Sequence, residues 1–283
     1  MAELGQLTRA AEALHLSQPA ITAQIKALEE DLGMALFERT PTGMVLTSAG
    51  RRLLAPAQQV LAATQHLRNE AKALFGEVAG IVSVGTVSDP EFIRLGEFLS
   101  AMVERFPLIQ LELQQQVSGM ALERVRDGSL NASFYFGELT TPSVAGLRLR
   151  DIVYRVAAPA AWRSRVEHAD WAEIAALPWI LTPSVSTHNQ LLHALFRNHG
   201  AEPTKVVEAD QEAVVNSLIV SGVGLSMMRE DQARAAAAAG EVVIWGKTPS
   251  TTQAWFIYPA EQAREPVIGA MLATLRDIWQ LTA

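Results

Sequence analysis

The chain has 283 residues, is 49% hydrophobic, carries a formal net charge of -7 and contains no cysteine. That length suffices for about two domains with full cores, and the missing cysteine excludes disulfides, thiolate metal sites and a cysteine nucleophile. The N-terminus shows no basic leader with an apolar core. The longest nearly apolar run, Ala213 to Met228, falls below the ~18 residues needed to span a bilayer, so the expectation is a soluble, cytoplasmic protein with no membrane partner.

In chain order, Leu7, Ala10, Ala11 and Leu14 follow helical spacing, with alanines that permit a close crossing. After the hinge His15-Leu16-Ser17 a second helix is expected. Ser17 is its N-cap, Pro19 sits in its first turn and Gly33 ends it. Ile21, Ile25, Leu28 and Leu32 form the stripe expected to be buried, leaving Gln18, Thr22, Ala23 and Lys26 on the opposite face. A helix pinned along its back with Gln, Thr and Lys in front has the geometry for a DNA major groove. Two short extended runs, Leu36 to Thr40 and Met44 to Thr47, then read as a wing turning at Pro41-Thr42-Gly43, with Arg39 able to reach a phosphate.

From Ser48, taken as the cap, a long helix carries Leu53, Ala57, Val60, Thr64, Leu67, Ala71 and Leu74 at alternating fours and threes. That seam suits a second copy of itself, with Val60, Leu67 and Leu74 as its candidate dimer residues, and Pro56 is expected to kink it. Gly76 and Gly80 punctuate its end. From Ile81 onward strand and helix patterns alternate, the signature of an α/β fold, here read with largely parallel sheets. The segments Tyr154 to Pro159 and Ala254 to Pro259 bracket a middle block, so the chain is expected to cross twice between two lobes.

Ligands in such folds sit at strand C-termini. That rule selects Thr86, Ser88, Ser118, Gly119, Thr182, Ser184, Ser186 and Thr187, mostly hydroxyl residues near helix starts, where free N–H groups favour a carboxylate. For any one of them, capping its own helix is the simpler role, and only convergence makes a site. Asp89 would repel a carboxylate, so an effector with an ammonium group is equally admissible. No catalytic residues, metal or cofactor are expected. His188, His193 and His199 do not share a helical face and read as surface or capping residues; Gly222-Val223-Gly224 lacks the third glycine of a dinucleotide motif.

The stretch from Leu7 to Gly50 resembles the winged helix-turn-helix of LysR-type transcriptional regulators. It has the SQPA helix start at Ser17, the LE-x-x-LG end at Leu28 to Gly33, the LF-x-R wing at Leu36 to Arg39 and the LT-x-AG start at Leu46 to Gly50. The resemblance extends over the whole layout. It implies residues 1–47 as a DNA-binding domain, 48–76 as a dimerising linker helix, and 80–283 as a two-lobed effector domain like that of periplasmic solute receptors. Lobe I would cover about 80–155 and 259–283, lobe II about 156–258. The implied partners are double-stranded DNA through Ser17, Gln18, Pro19, Thr22, Lys26 and Arg39, a small-molecule effector, and the chain itself as dimer or tetramer. Two features depart from the family. The helix that precedes the first one read here has no room before Leu7, and Ala23 stands where an arginine is common. A second reading is therefore a cytoplasmic small-molecule binding protein whose truncated N-terminal domain no longer reads DNA. The N-terminal 54 residues hold five basic against six acidic side chains, so most of the negative charge lies further on, where it limits non-specific DNA binding.

Overall fold

Ser17, Pro19 and Gly33 bound the second helix as their chemistry requires in the computed structural model, which describes residues 1–2, 4–40, 43–73, 78–87, 89–246 and 249–281, without the side chains of residues 62, 65, 66, 69, 70, 72 and 73. The chain divides into two compact units, Met1–Thr64 and Gln65–Ala283.

In the first unit, α1 (Leu7–Ala13) buries Ala10 and Ala11. The hinge turns at His15, in the left-handed region at φ 52°, while Leu16 N donates to the Ala11 carbonyl at 2.9 Å. Helix α2 (Gln18–Leu32) starts where the Ser17 hydroxyl accepts from Ala20 N at 3.3 Å, and ends at Gly33, whose φ of 66° suits a residue without a Cβ. The wing is β1 (Phe37–Thr40) paired antiparallel with β2 (Gly43–Leu46); Pro41 and Thr42 of the expected turn lie outside the described residues. One side chain fixes the wing to α2. Glu29 Oε1 accepts from Leu36 N at 2.7 Å and from Phe37 N at 3.0 Å, satisfying two donors with one charged acceptor.

Helix α3 (Ser48–Ala73) runs through Pro56. Its cap is Thr47 rather than Ser48, because Gly50 N donates to Thr47 Oγ1 at 3.0 Å. Gly50 has to be glycine, since a Cβ there would overlap the Leu36 carbonyl oxygen. The stripe on α2 is only partly covered. Ile21 is buried and Ile25 half-buried, whereas Leu28 and Leu32 remain exposed, uncovered by the described residues of this unit.

The second unit is built on a mixed sheet with strand order β10-β6-β11-β5-β3-β4. Strands β3 (Gly80–Thr86), β4 (Ile109–Gln115) and β5 (Ala132–Phe136) are joined by α4 (Leu95–Arg105) and α5 (Ser118–Arg126) and run parallel. Two long strands, β6 (Val144–Pro159) and β11 (Ser250–Pro259), pair antiparallel over their length and carry the chain out and back. Between them lie α6 (Arg163–Val166), α7 (Trp171–Ala176), β7 (Pro178–Leu181), α8 (Thr187–Arg197), β8 (Thr204–Glu208), α9 (Glu212–Val220), β9 (Ser226–Arg229), α10 (Glu230–Ala238) and β10 (Val242–Ile244). The last helix is α11 (Pro266–Trp279), packed with α4.

The expectation of largely parallel sheets fails where the crossovers are. Every pairing made by β6 and β11 is antiparallel, and the parallel pairs are β3 with β4, β3 with β5 and β7 with β8. Ala254 to Ile257 pair with β5, so the returning strand has entered the first lobe by Ala254, earlier than residue 259. Each lobe has aromatic anchors. Phe98, Phe134 and Phe256 meet at centroid distances of 5.1 to 6.0 Å in the first, and fully buried Trp179 donates its indole N–H to the Ile174 carbonyl at 2.9 Å in the second.

Candidate functional site

The exposed face of α2 and the wing border one open groove in the first unit. Gln18, Pro19, Thr22 and Lys26 line it from α2, Arg39 from β1, and Thr8 from α1. Gln18 Nε2 donates to Thr8 Oγ1 at 3.1 Å, and the Thr22 hydroxyl donates to the Gln18 carbonyl at 2.9 Å. These bonds set the side chains while leaving the Gln18 side-chain Oε1 and the Thr22 hydroxyl lone pairs able to meet base edges. Lys26 lies 3.4 Å from Glu30 with both side chains in solvent, an ion pair worth little that a phosphate can replace. Ser17 stands apart from the groove as the helix cap.

Along α3, Val60, Leu61 and Leu67 are exposed at 67, 70 and 69% of their surface, three apolar side chains left wet on one helix. Leu61 was not part of the expected seam. Leu74 lies outside the described residues.

In the second unit a cleft opens between the lobes, with a cavity of about 80 Å³. The first lobe contributes Val87, Gln116, Ser118 and Phe136; the second contributes Thr182, Ser186, Thr187, His188, Asp210 and Glu212; Tyr154 stands on the crossover. Of the expected hydroxyls, four reach this wall and most are already engaged. Ser118 Oγ accepts from Phe136 N at 3.2 Å, Ser186 caps α8 by accepting from Asn189 N at 3.1 Å, and the Thr182 and Ser186 hydroxyls hydrogen-bond to each other at 2.5 Å. Thr187 donates across the lobes to the Phe136 carbonyl.

Two of the expected hydroxyl residues, Ser184 and Thr86, do not line the cleft. Ser184 is exposed on the turn before Ser186, because that turn lifts it away from the strand end. Thr86 is buried at the end of β3, its carbonyl accepting from Gln116 N at 2.8 Å, and the next residue, Val87, takes the cleft side in the strand's alternation. Ser88 lies outside the described residues.

His188 is in the cleft wall rather than on the surface. Its Nε2 lies 2.8 Å from the Met227 carbonyl and can only donate there, which leaves Nδ1 to accept from the Thr182 hydroxyl at 3.3 Å. Burial holds its pKa below the ordinary histidine value, against the pull of the Met227 bond, so the ring is neutral at pH 7. Burial likewise pushes the Tyr154 phenol up, and Glu212 adds to that.

Two contacts join the lobes beside the cleft. On one side Gly119 of α5 lies so close to the Val185 carbonyl of the second lobe that a Cβ would overlap it. On the other, Arg229 of β9 is 4% exposed, pairs with Asp89 of the first lobe at 2.8 Å and stacks 3.7 Å over Phe92. Asp231 holds the guanidinium with two bonds at 2.8 and 2.9 Å, and Glu212 stands 3.9 Å away. Burial would lower the pKa of Arg229, but these carboxylates carry it up. Asp89, feared as a repellent charge, is thus spent on Arg229. Gln116, Tyr154, His188, Asp210 and Glu212 were missed because no local pattern marks residues that meet only through the crossovers.

A helix-turn-helix unit with a wing, followed by a two-lobed unit with an interlobe cleft, defines a DNA-binding regulator of the ligand-responsive kind. Residues 1–51 match the family model described as the bacterial regulatory helix-turn-helix protein, lysR family, and residues 75–280 match the LysR substrate binding domain. The chain belongs to the LysR family and is a LysR-type transcriptional regulator with a helix-turn-helix and an effector-binding domain.

Among its relatives, the HTH-type transcriptional regulator TfdT of Cupriavidus pinatubonensis is 30% identical over 184 residues, covering 65% of this chain and 81% of that protein. BbuR of Bordetella bronchiseptica, also an HTH-type transcriptional regulator, is 27% identical over 244 residues, 86% of this chain and 75% of that one. Among solved structures, ArgP from Mycobacterium tuberculosis superposes with a TM-score of 0.66 at 19% identity over 99% of this chain and 94% of that one. Full-length CbnR complexed with its target DNA gives 0.62 at 23% over 98% and 95%. At such identities the likeness is one of fold. Regulators of this family bind DNA and small-molecule effectors and form oligomers; the family is one of regulators, not enzymes. Among the described residues no helix is long and apolar enough to cross a membrane.

Proposed function

We propose that this regulator reads DNA with Gln18 and Thr22 against base edges and with Lys26 and Arg39 on phosphates, while Ser17 and Pro19 fix the start of α2. The observation that carries this reading is the single groove bordered by those α2 side chains and by Arg39. The effector occupies the interlobe cleft against Ser118, Thr182, Ser186 and Thr187, and Val60 and Leu67 form part of the dimer seam, supported by their exposure. Residues 1–47, 48–76 and 80–283 then serve as DNA-binding domain, linker helix and effector domain. The protein works in the cytoplasm and catalyses no reaction.

The experiment compares two variants on cognate and random duplexes. Gln18→Ala is expected to cost ~1–3 kcal/mol on cognate DNA only and to relax one base position. Lys26→Ala weakens all sequences alike and lowers the salt slope by about one. Equal weakening of both duplexes by Gln18→Ala would mean that α2 does not read bases.

A further inference from the structure

Glu212 is a carboxylate in the wall of the effector cleft with binding capacity left over. Arg229, its nearest cation, is committed elsewhere, to Asp89 at 2.8 Å and twice to Asp231, and reaches Glu212 Oε2 only at 3.9 Å, past hydrogen-bond range. The Gln232 amide, in the orientation that satisfies both its ends, donates to the other oxygen, Oε1, at 3.2 Å. One guanidinium thus faces three carboxylates, and burial pushes the Glu212 carboxyl above its ordinary value, so a further cation in the cleft would favour its charged form. Asp210 adds a further carboxylate to the same wall. Lysine and arginine do not occur among the lining residues, and His188 is neutral.

The same cleft also carries the opposite chemistry. Helices α5 and α8 both start at the wall, at Ser118 and Thr187, and the first N–H groups of a helix have no partner within it. Their hydroxyls are mostly used on Phe136 and Asn189, so the amides are what an anion would meet. The same lining also includes apolar Val87, Phe136, Tyr154 and Val215. A simple monoanion would gain from the helix starts and lose to Glu212 and Asp210. A molecule that carries both a carboxylate and an ammonium satisfies both.

Resting on the reading of this cleft as the effector site, we propose that the effector is a small zwitterion, amino-acid-like, whose carboxylate meets the starts of α5 and α8 and whose ammonium meets Glu212. Glu212 is then the residue that separates such an effector from the acid lacking the amine.

Calorimetry on the full chain tests this with three matched sets: L-alanine, propionate and ethylamine; L-valine, 3-methylbutanoate and isobutylamine; L-phenylalanine, 3-phenylpropionate and phenethylamine. In at least one set the amino acid is expected to bind about tenfold or more tightly than either fragment. Glu212→Gln should remove that advantage, weakening the amino acid while tightening the acid that Glu212 repels, and Glu212→Asp should restore part of it. A variant with the cleft filled, Gln116→Trp, should bind none. An acid that binds as well as its amino acid, an advantage untouched by Glu212→Gln, or no binding in any set would overturn the zwitterion. Binding that survives Gln116→Trp would instead remove the cleft as the effector site.

Discussion

The two units spend their apolar residues differently. Between Met1 and Thr64 the fully buried hydrophobic side chains among the described residues are Ala10, Ala11, Ile21 and Leu36, while Leu14, Leu16, Leu28, Leu32 and Met34 are at least 41% exposed. From Gln65 onward the core holds Phe98, Phe134, Trp179, Phe196 and Phe256, each at or near zero exposure. A unit of about 60 residues with so small a core is held chiefly by local devices, caps and charged hydrogen bonds, and is marginal by itself. The larger unit is held by volume. Damage to the first should therefore follow polar anchors, and damage to the second should follow packing.

The largest expected effect is in the second unit. Phe134→Ala removes a ring centred 5.1 Å from Phe256 and 6.0 Å from Phe98, and should lower the stability of the effector unit by ~3–5 kcal/mol, read from its denaturant midpoint. A loss below about 1 kcal/mol would mean that the site refills, and the contrast in packing would lose its force. In the first unit the corresponding anchor is Glu29. Glu29→Ala leaves Leu36 N and Phe37 N without their acceptor and should cost ~1–3 kcal/mol, loosening the wing so that Arg39-dependent DNA affinity falls with it. Hydrogen exchange at those two amides measures it; unchanged protection would show that the wing is held by something else.

How much of this was legible in the sequence follows from the same contrast. Ser17, Pro19 and Gly33 act within a few residues of themselves, so the ends of α2 could be read from their chemistry alone. Thr47 displaced Ser48 as the cap of α3 by one position, a choice that depends on where the wing strand delivers the chain. The fate of Leu28 and Leu32 depends on what packs over them, which periodicity cannot state. In the cleft, hydroxyls near helix starts were visible, but their use was not. Ser186 caps α8 and Thr187 ties the lobes, while Glu212, Tyr154 and His188 arrive from α9, the crossover strand and α8 and meet only in space.

The smallest expected effect is a pH dependence confined to the larger unit. Burial keeps His188 neutral when folded, whereas the unfolded chain takes up a proton near the ordinary value of 6.5. Below that pH the unfolded state binds more protons, so stability falls as pH drops from about 6.5 towards the lowered folded value, and is fully kept above it. His188→Gln should flatten that slope in melting curves of the second transition. A slope that persists unchanged would assign the titration to another group.

Regulators of this family bind both DNA and small-molecule effectors, so the state of the interlobe cleft is expected to change how the other unit meets DNA. Gly119→Ala tests it most directly, since the added methyl overlaps the Val185 carbonyl and props the lobes apart without altering a residue of the DNA groove. Fluorescence anisotropy with a duplex selected from random sequence by the unsubstituted protein reads the outcome. The account predicts a change in DNA affinity of about 5- to 150-fold, the range of ordinary coupling between sites, with the effector unit still cooperatively folded. An affinity equal to that of the unsubstituted protein, in a variant whose lobes are shown by X-ray scattering to have opened, would contradict it.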